Sequence, residues 1–593
     1  MIKVSDYIAK RLKDVYSVNN VFMVSGGGAM HLNDSFGRYI PYTCFHNEQA
    51  CAIAAEGYAR IAEKTAVVNV TTGPGGLNCL NGLFGQWTDS VPVLYVSGQV
   101  KYTTTSASCP ELQLRQLGDQ EVDIISVVKP LTKYAVMITD PKSVKYHLDK
   151  AMYEAMTGRK GPVWLDIPMN VQSALVDEKD LFDFEREVPC ECSGFSVSQI
   201  VNKLKQAQRP LIVAGHGIRL SGKKELFLSM LEKFKIPVVT TFNGFDMIET
   251  EHPDYVGRIG TIGQRAGNFA LQNADVVLFL GTRNNIRQVS YNWENYAKNA
   301  YKIVVDIDKA ELDKPLVKPD LSINADLADF LPLLNDSVNS IDKPEWLGFC
   351  KSLKEKYSFS NTPEYLQKSN EKINVYNFIR RLTETLQEND ICVMANATAT
   401  ICTFQTALIK KNQRFISNSG DASMGYDVPC SIGACIASGK KNVVCLAGDG
   451  SVMMNLQELQ TIKHYNLPVK IFVLNNDGYI SIKQTQNNFF NGRNTGAGKD
   501  SGVSVPDFVK VGNSFGIDSF LLDNPDDVDF ALKKMMCAEK PMICEVVVNP
   551  NYIFTPKLSA KKLDDGTMIS PSLEDMYPFL PREEYEKNML QEL

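Results

Sequence analysis

Apolar positions along the chain fall into short continuous runs separated by longer stretches in which they recur every three or four residues. Up to residue 180 the runs are VFMV, AVVNVT, VPVLYVSG and GPVWLDIP, each followed by turn residues. Strands alternating with amphipathic helices predict βαβ units and a mostly parallel sheet covered on both faces. A second series carries PLIVAG, IPVVTT, DVVLFLG and YKIVVDID, and a third carries DICVMA, VVCLAGDG, VKIFVLNN and MICEVVV. The stretch 181–195 mixes charge, Pro and Gly and reads as a linker; 338–372 is charged and weakly periodic. The expected organisation is therefore α/β: three doubly wound parallel-sheet domains at 1–180, 190–345 and 370–549. Residues 550–593 hold Pro556, Pro571, Pro578 and Pro581 with little periodicity, which predicts an extended tail lying on the other domains.

A length of 593 residues exceeds what one hydrophobic core supports, in keeping with about three domains. With 44% hydrophobic and 22% charged residues and a net charge of -6, the composition is that of an ordinary globular protein, and no basic run suggests nucleic acid. At the start, Val4, Tyr7, Ile8, Leu12 and Val15 have helical spacing and read as a first helix, not an export signal. Apolar runs such as VVLFL are too short for a membrane span, so a soluble, cytoplasmic chain with reduced thiols is expected. Cys190 and Cys192, the one close pair, read as surface thiols without a second pair at zinc spacing.

The most informative string is GDGSVMMNLQELQTIKHYNLPVKIFVLNNDGY, a strand end, a helix, a strand and two Asn residues. Carboxyl ends of neighbouring parallel strands share one edge, so a single βαβ unit brings Asp449 and Asn476 together. Two oxygen ligands there suit Mg²⁺ with substrate phosphate, and Gly450 with Ser451 lets a diphosphate approach backbone at a helix start. The string resembles the cofactor motif of thiamine-diphosphate-dependent enzymes. That resemblance implies Asp449, the Asn476 side-chain oxygen and the Gly478 carbonyl as metal ligands, and thiamine diphosphate and Mg²⁺ as cofactors.

The family's activating glutamate corresponds to Glu48 in HNEQA, ahead of the helical AIAAEGYAR. A carboxyl sharing a proton with the aminopyrimidine N1′ favours the tautomer that deprotonates the thiazolium C2. TTGPGGLNCLNGLFGQWTDSVPVLYVSGQ, which contains Gly73, and RFISNSGDASMGYDVPCSIGA resemble signatures of the acetolactate synthase large subunit. By that resemblance Met424 props the cofactor rings into a V and the Ala422 carbonyl takes the 4′-amino hydrogen bond. Active sites lie between subunits in this family, implying a homodimer or tetramer.

Simple pyruvate decarboxylases carry a His pair in the first domain and a glutamate six residues beyond the metal-binding Asn; here residues 100–135 lack His and Ile482 stands at the second position. An apolar wall there disfavours aldehyde release and leaves the C2 unit, from a 2-oxo acid donor such as pyruvate, for a carbonyl acceptor. GDQEVDIISVVKPLTKY is similar to an acetolactate synthase stretch that makes Gln120 an active-site polar group and Lys133 a positioning residue. Asp119 replaces Phe there, and Thr485 replaces a Trp that shapes the acceptor pocket. A larger, more polar pocket suits a hydroxylated acceptor, and GYISIKQTQ with SPSLEDMYPFL resembles carboligases acting on keto-sugar nucleotides. His31 is a further candidate for acceptor binding, or a satisfied histidine behind its Gly turn. Acetolactate synthase and a non-catalytic, partner-binding member of the fold are the alternatives. In the central domain, AGHGIR, GTRNNIRQ and VDID resemble FAD-binding segments, naming Gly215, Gly217, Arg283 and Asp306, although such Gly turns serve packing equally well. Asn284 and Asn285 depart from the family's Phe-Asp-Asp.

Overall fold

The computed structural model describes residues 1–186, 196–562, 565 and 568–590. Cys190 and Cys192, with most of the expected linker 181–195, lie outside the described residues. Three six-stranded sheets, each parallel throughout, form the body of the chain. In the first sheet the strands are β1 (Val21–Met23), β2 (Tyr42–Cys44), β3 (Ala66–Val70), β4 (Val93–Gln99), β5 (Tyr134–Met137) and β6 (Val163–Pro168), in the spatial order 2-1-3-4-6-5. The second has β7 (Pro210–Ala214), β8 (Val238–Thr240), β9 (Tyr255–Arg258), β10 (Val276–Leu280), β11 (Tyr301–Asp306) and β12 (Leu321–Asn324), in the order 9-8-7-10-11-12. The third repeats the topology of the first, with β13 (Ile391–Met394), β14 (Arg414–Ile416), β15 (Val443–Gly448), β16 (Val469–Asn475), β17 (Asp518–Leu522) and β18 (Met542–Val547) in the order 14-13-15-16-18-17. Reversal of strand order beside the central strands leaves a crevice at the carboxyl edge of each sheet, where open α/β folds bind ligands.

The first and third domains share one apolar core. Helix Glu48–Ala62 is rich in Ala, the best helix former, and starts where the Asn47 side chain accepts a hydrogen bond from Gln49 N at 2.8 Å. It packs on helix Asp427–Ala437, and residues of both belong to one buried cluster. Glycine sets the approach: a Cβ on Gly433 would lie 1.7 Å from the Ala54 carbonyl oxygen, and one on Gly57 2.3 Å from that of Cys430. The central sheet has separate clusters on its two faces.

Two local expectations need correction. The tail is not wholly extended: Lys561–Lys562 pairs antiparallel with Met568–Ile569, and Arg582–Asn588 is a helix. That helix is anchored on the central domain, with the Asn588 carbonyl accepting from Asn273 Nδ2 and Tyr357 OH donating to Glu584. The helix after Gly448 is broken, running Asp449–Val452 and then Glu458–His464. No helix among the described residues is long and apolar enough to cross a membrane.

Candidate functional site

At the carboxyl edge of the first sheet, Glu48 opens its helix and is half-buried. Its Oε2 accepts from Asn78 Nδ2 at 2.9 Å, leaving Oε1 beside Gly75 without a hydrogen bond among the described residues. Gly73 follows β3 with φ +61°, and a Cβ there would lie 1.9 Å from the Gln120 carbonyl oxygen. Gln120 is itself left-handed at φ 61° and its side chain is exposed, as is that of Asp119. The two loops are tied by Gln99, whose Nε2 donates to the Val122 carbonyl and whose Oε1 accepts from Thr72 Oγ1. Asp166 on β6 holds Gln99 Nε2 at 3.1 Å and Ser97 Oγ at 2.6 Å. Burial pushes this carboxyl up to about 7, against the lowering effect of both donors. His31 lies one turn past the Gly27–Ala29 turn, half-buried and without a hydrogen bond among the described residues, unlike a satisfied core histidine.

In the third sheet the register pairs Gly448 with Leu474, so Asp449 and Asn476 leave their strands side by side. Asp449 Oδ2 accepts from the backbone N–H groups of Asn476 and Gly478, both at 3.0 Å, and Oδ1 from Gly450 N at 2.7 Å. Burial raises the Asp449 carboxyl above its ordinary range, and these three N–H groups pull it back. Asn476 Nδ2 points to Thr398 Oγ1 and Tyr552 OH at 3.3 and 3.4 Å, while its Oδ1 is buried with no partner among the described residues. A buried acceptor left bare beside a carboxylate fits a hard cation, because Mg²⁺ takes oxygen ligands and would remove the desolvation penalty. Gly450 is cradled: a Cβ would sit 2.1 Å from the Tyr479 ring and 3.2 Å from Met424 Cε. Ser451 Oγ accepts from Gly425 N at 2.8 Å, locking the Met424 turn onto the same edge. The Ala422 carbonyl, at φ 55°, already accepts from Asn396 Nδ2 at 3.0 Å and keeps its second lone pair.

Lys133 is not a positioning residue of this site. Its ammonium donates to the Glu154 and Thr157 carbonyls, capping the carboxyl end of helix Val144–Met156, where a cation meets the negative dipole end. Ile482 and Thr485 are both exposed on helix Ile480–Phe490, and Thr485 Oγ1 spends its hydrogen bond on the Ser481 carbonyl at 3.0 Å. Sequence reasoning missed Asn78, Thr398 and Tyr552, which lie 30, 78 and 76 residues from the groups they hold, and gave no role to Tyr479 at the end of the motif. It also missed Glu458, whose Oε1 accepts from His46 N at 3.1 Å and ties the Glu48 segment to the third domain.

The central domain contributes a cleft, with about 150 Å³ open to the centre of a water-sized sphere, lined by Gly217, Arg283 and Asp306, with Asp89 from the first domain. Gly215 and Gly217 press on Gly281, so their lack of side chains serves strand packing as well as access. Arg283 lies 3.9 Å from Asp89, and burial pushes Asp306 up to about 6. Asn284 turns inward to accept from Gln288 Nε2 at 2.9 Å, and Asn285 caps helix Ile286–Val289. Asn243 Oδ1 and His216 Nδ1 on the cleft wall are buried without partners among the described residues, which fits a polar ligand.

Comparison with known proteins agrees with this geometry. Residues 2–127 match the N-terminal TPP binding domain of thiamine pyrophosphate enzymes, 197–334 the central domain and 397–546 the C-terminal TPP binding domain. The acetolactate synthase large subunit of Lactococcus lactis subsp. lactis (strain IL1403) is 31% identical over 94% of each chain. Acetolactate synthase isozyme 2 large subunit of Escherichia coli (strain K12) is 30% identical over 90% of this chain and 93% of its own. The probable acetolactate synthase large subunit of Methanocaldococcus jannaschii is 30% identical over 93% of this chain and 92% of its own. With the orphaned Asn476 oxygen, the Gly450 cradle and the Glu48 carboxylate matching that cofactor's needs, the chain belongs to the thiamine pyrophosphate enzymes, in the branch similar to acetolactate synthase large subunits.

Proposed function

We propose that the chain is a Mg²⁺-dependent, decarboxylating carboligase that moves an acetyl unit from pyruvate to a second carbonyl compound. The observation that carries this reading is the buried, unpartnered Asn476 Oδ1 beside Asp449 and Gly450. Asp449, Asn476 Oδ1 and the Gly478 carbonyl would hold the metal, and Gly450 with Ser451 would receive the diphosphate. Bound thiamine diphosphate supplies a carbon nucleophile and a sink for the electron pair left when CO₂ departs. Glu48 Oε1 would hold the proton at the aminopyrimidine, with Asn78 fixing the other oxygen. Met424 and Ala422 would orient the rings. Exposed Ile482 offers no proton donor, in keeping with carbon–carbon bond formation rather than aldehyde release. The unpartnered Asn243 and His216 atoms support FAD in the central cleft, with Arg283 and Asp306 on its wall; a visible flavin spectrum in the purified protein tests this.

The names of the relatives support a second 2-oxo acid as acceptor, making the product an acetohydroxy acid. A keto-sugar nucleotide is the second reading, favoured only by the small, exposed Thr485 and by Asp119 where aromatic residues would narrow the pocket. Incubating the protein with thiamine diphosphate, Mg²⁺ and pyruvate, with and without a keto-sugar nucleotide, separates them. Acetolactate formed at full rate from pyruvate alone supports the first; product only with the sugar supports the second; no CO₂ release in either sinks the carboligase reading.

A further inference from the structure

Where the three domains meet, a small cavity is walled by Arg60 from the first domain, Arg219 from the central domain and Arg414 from the third, with Lys160 at its side. One carboxylate, Glu63, lines it and pairs with Arg414 at 3.6 Å. The other acids lie behind the guanidinium groups: Arg60 is held by Glu56 at 2.9 Å and Asp89 at 2.8 Å, and Asp246 is shared between Arg219 at 3.2 Å and Arg414 at 3.3 Å. The cations therefore face inward. Arg219 Nε is buried with no partner in a side chain only 8% exposed, and Lys160 forms no ion pair or hydrogen bond among the described residues. Neighbouring groups register burial and the crowding of cations: burial, with Arg219 beside it, brings Arg414 down to about 10 against the opposing pull of Asp246 and Glu63, and burial with Arg60 and Arg219 brings His216 down to about 3. Arg60, Glu63 and Arg414 take no part in lining the larger central cleft, although His216 and Lys160 stand on the wall between the two.

We propose that this junction binds a small tetrahedral oxyanion, a phosphate or phosphomonoester group, which clamps the three domains together. Donors converge from three separate elements, so a tetrahedral anion can offer each its own oxygen where a planar carboxylate cannot. With about 30 Å³ open to the centre of a water-sized sphere, the space suits one small anion and excludes a dinucleotide.

The test is calorimetric titration of the holoenzyme, saturated with thiamine diphosphate, Mg²⁺ and any flavin it binds, so that cofactor phosphate sites are filled. Inorganic phosphate and glycerol phosphate are the two probes, with chloride at matched ionic strength as the control. We expect saturable binding that weakens roughly tenfold in Lys160→Gln, which removes no hydrogen bond or close ion pair of the described residues, and further in Arg414→Gln. Phosphate binding alone assigns the site to the free ion, and comparable binding of the ester assigns it to a phosphorylated metabolite; either upholds the proposal. Absence of saturable heat, or an unchanged affinity in Lys160→Gln, overturns it and leaves the cations as an interdomain ion-pair network.

Discussion

Glu48, Asn476 and Asp166 each face a different physical demand. Glu48→Gln keeps the shape at the helix start but cannot hold the proton, so cofactor affinity should change little while C2–H exchange of bound cofactor slows by about 10²-fold or more. Exchange followed by quenched NMR checks it, and wild-type exchange would remove Glu48 from its role. Asn476→Ala deletes the unpartnered oxygen, so Mg²⁺-dependent cofactor binding should weaken by about 1–3 kcal/mol, or ten- to a hundredfold, in calorimetry. For Asp166, the folded chain holds a proton up to about 7 against an ordinary carboxyl value of 3.8. A raised value means that its contribution to stability is present below about pH 4 and is lost as pH rises through 7. Asp166→Asn cannot titrate, so urea midpoints measured from pH 4 to 8 should fall less steeply than in the parent, while Glu56, at about 7, keeps part of the slope in both.

At the scale of elements, helix Ile480–Phe490 presents Ile482, Thr485 and Phe489 to solvent at the edge that carries Asn476. Gln484 on its other side holds the tail, donating to the Tyr552 carbonyl at 3.1 Å. A substitution on the open face should therefore leave the helix docked. Thr485→Trp is expected to spare CO₂ release from pyruvate with an artificial electron acceptor while cutting transfer to a bulky carbonyl acceptor about ten- to a hundredfold. Paired rates decide it; equal loss of both would mean that this face does not border the acceptor. The pairing of helices Glu48–Ala62 and Asp427–Ala437, by contrast, has no freedom to adjust, because backbone meets backbone at Gly57 and Gly433.

On the scale of the molecule, large apolar side chains lie exposed around the cofactor edges: Leu112, Leu114 and Leu117 in the loop before Gln120, Met453 and Met454 after Ser451, and Phe489 and Phe490. So much apolar surface beside the site is costly in water and marks a contact surface. The occupant expected is a second copy of the chain, which would also bury Glu48 and Gln120. Sedimentation velocity should show a dimer or larger, and Leu114→Asp with Leu117→Asp should shift it toward monomer and weaken cofactor binding together. A monomer with full cofactor affinity would refute the arrangement.

The sequence by itself determined the three α/β units, because strand and helix periods alternate along the chain. It also determined the pairing of Asp449 with Asn476, because one βαβ unit fixes both at a single sheet edge. Motifs put Glu48 and Gly73 after strands of the first sheet and Met424 beside Ser451, and the structure has them at those sheet edges. Tertiary structure alone decided what depends on elements distant in the chain. Lys133 follows a promising motif, yet the carbonyls at the end of helix Val144–Met156 claim its ammonium. The tail reads as extended, yet it gains a helix where it packs on the central domain. The cationic junction of Arg60, Arg219 and Arg414 has no sequence signature at all, since each residue belongs to a different domain and the three meet only once all three domains are packed.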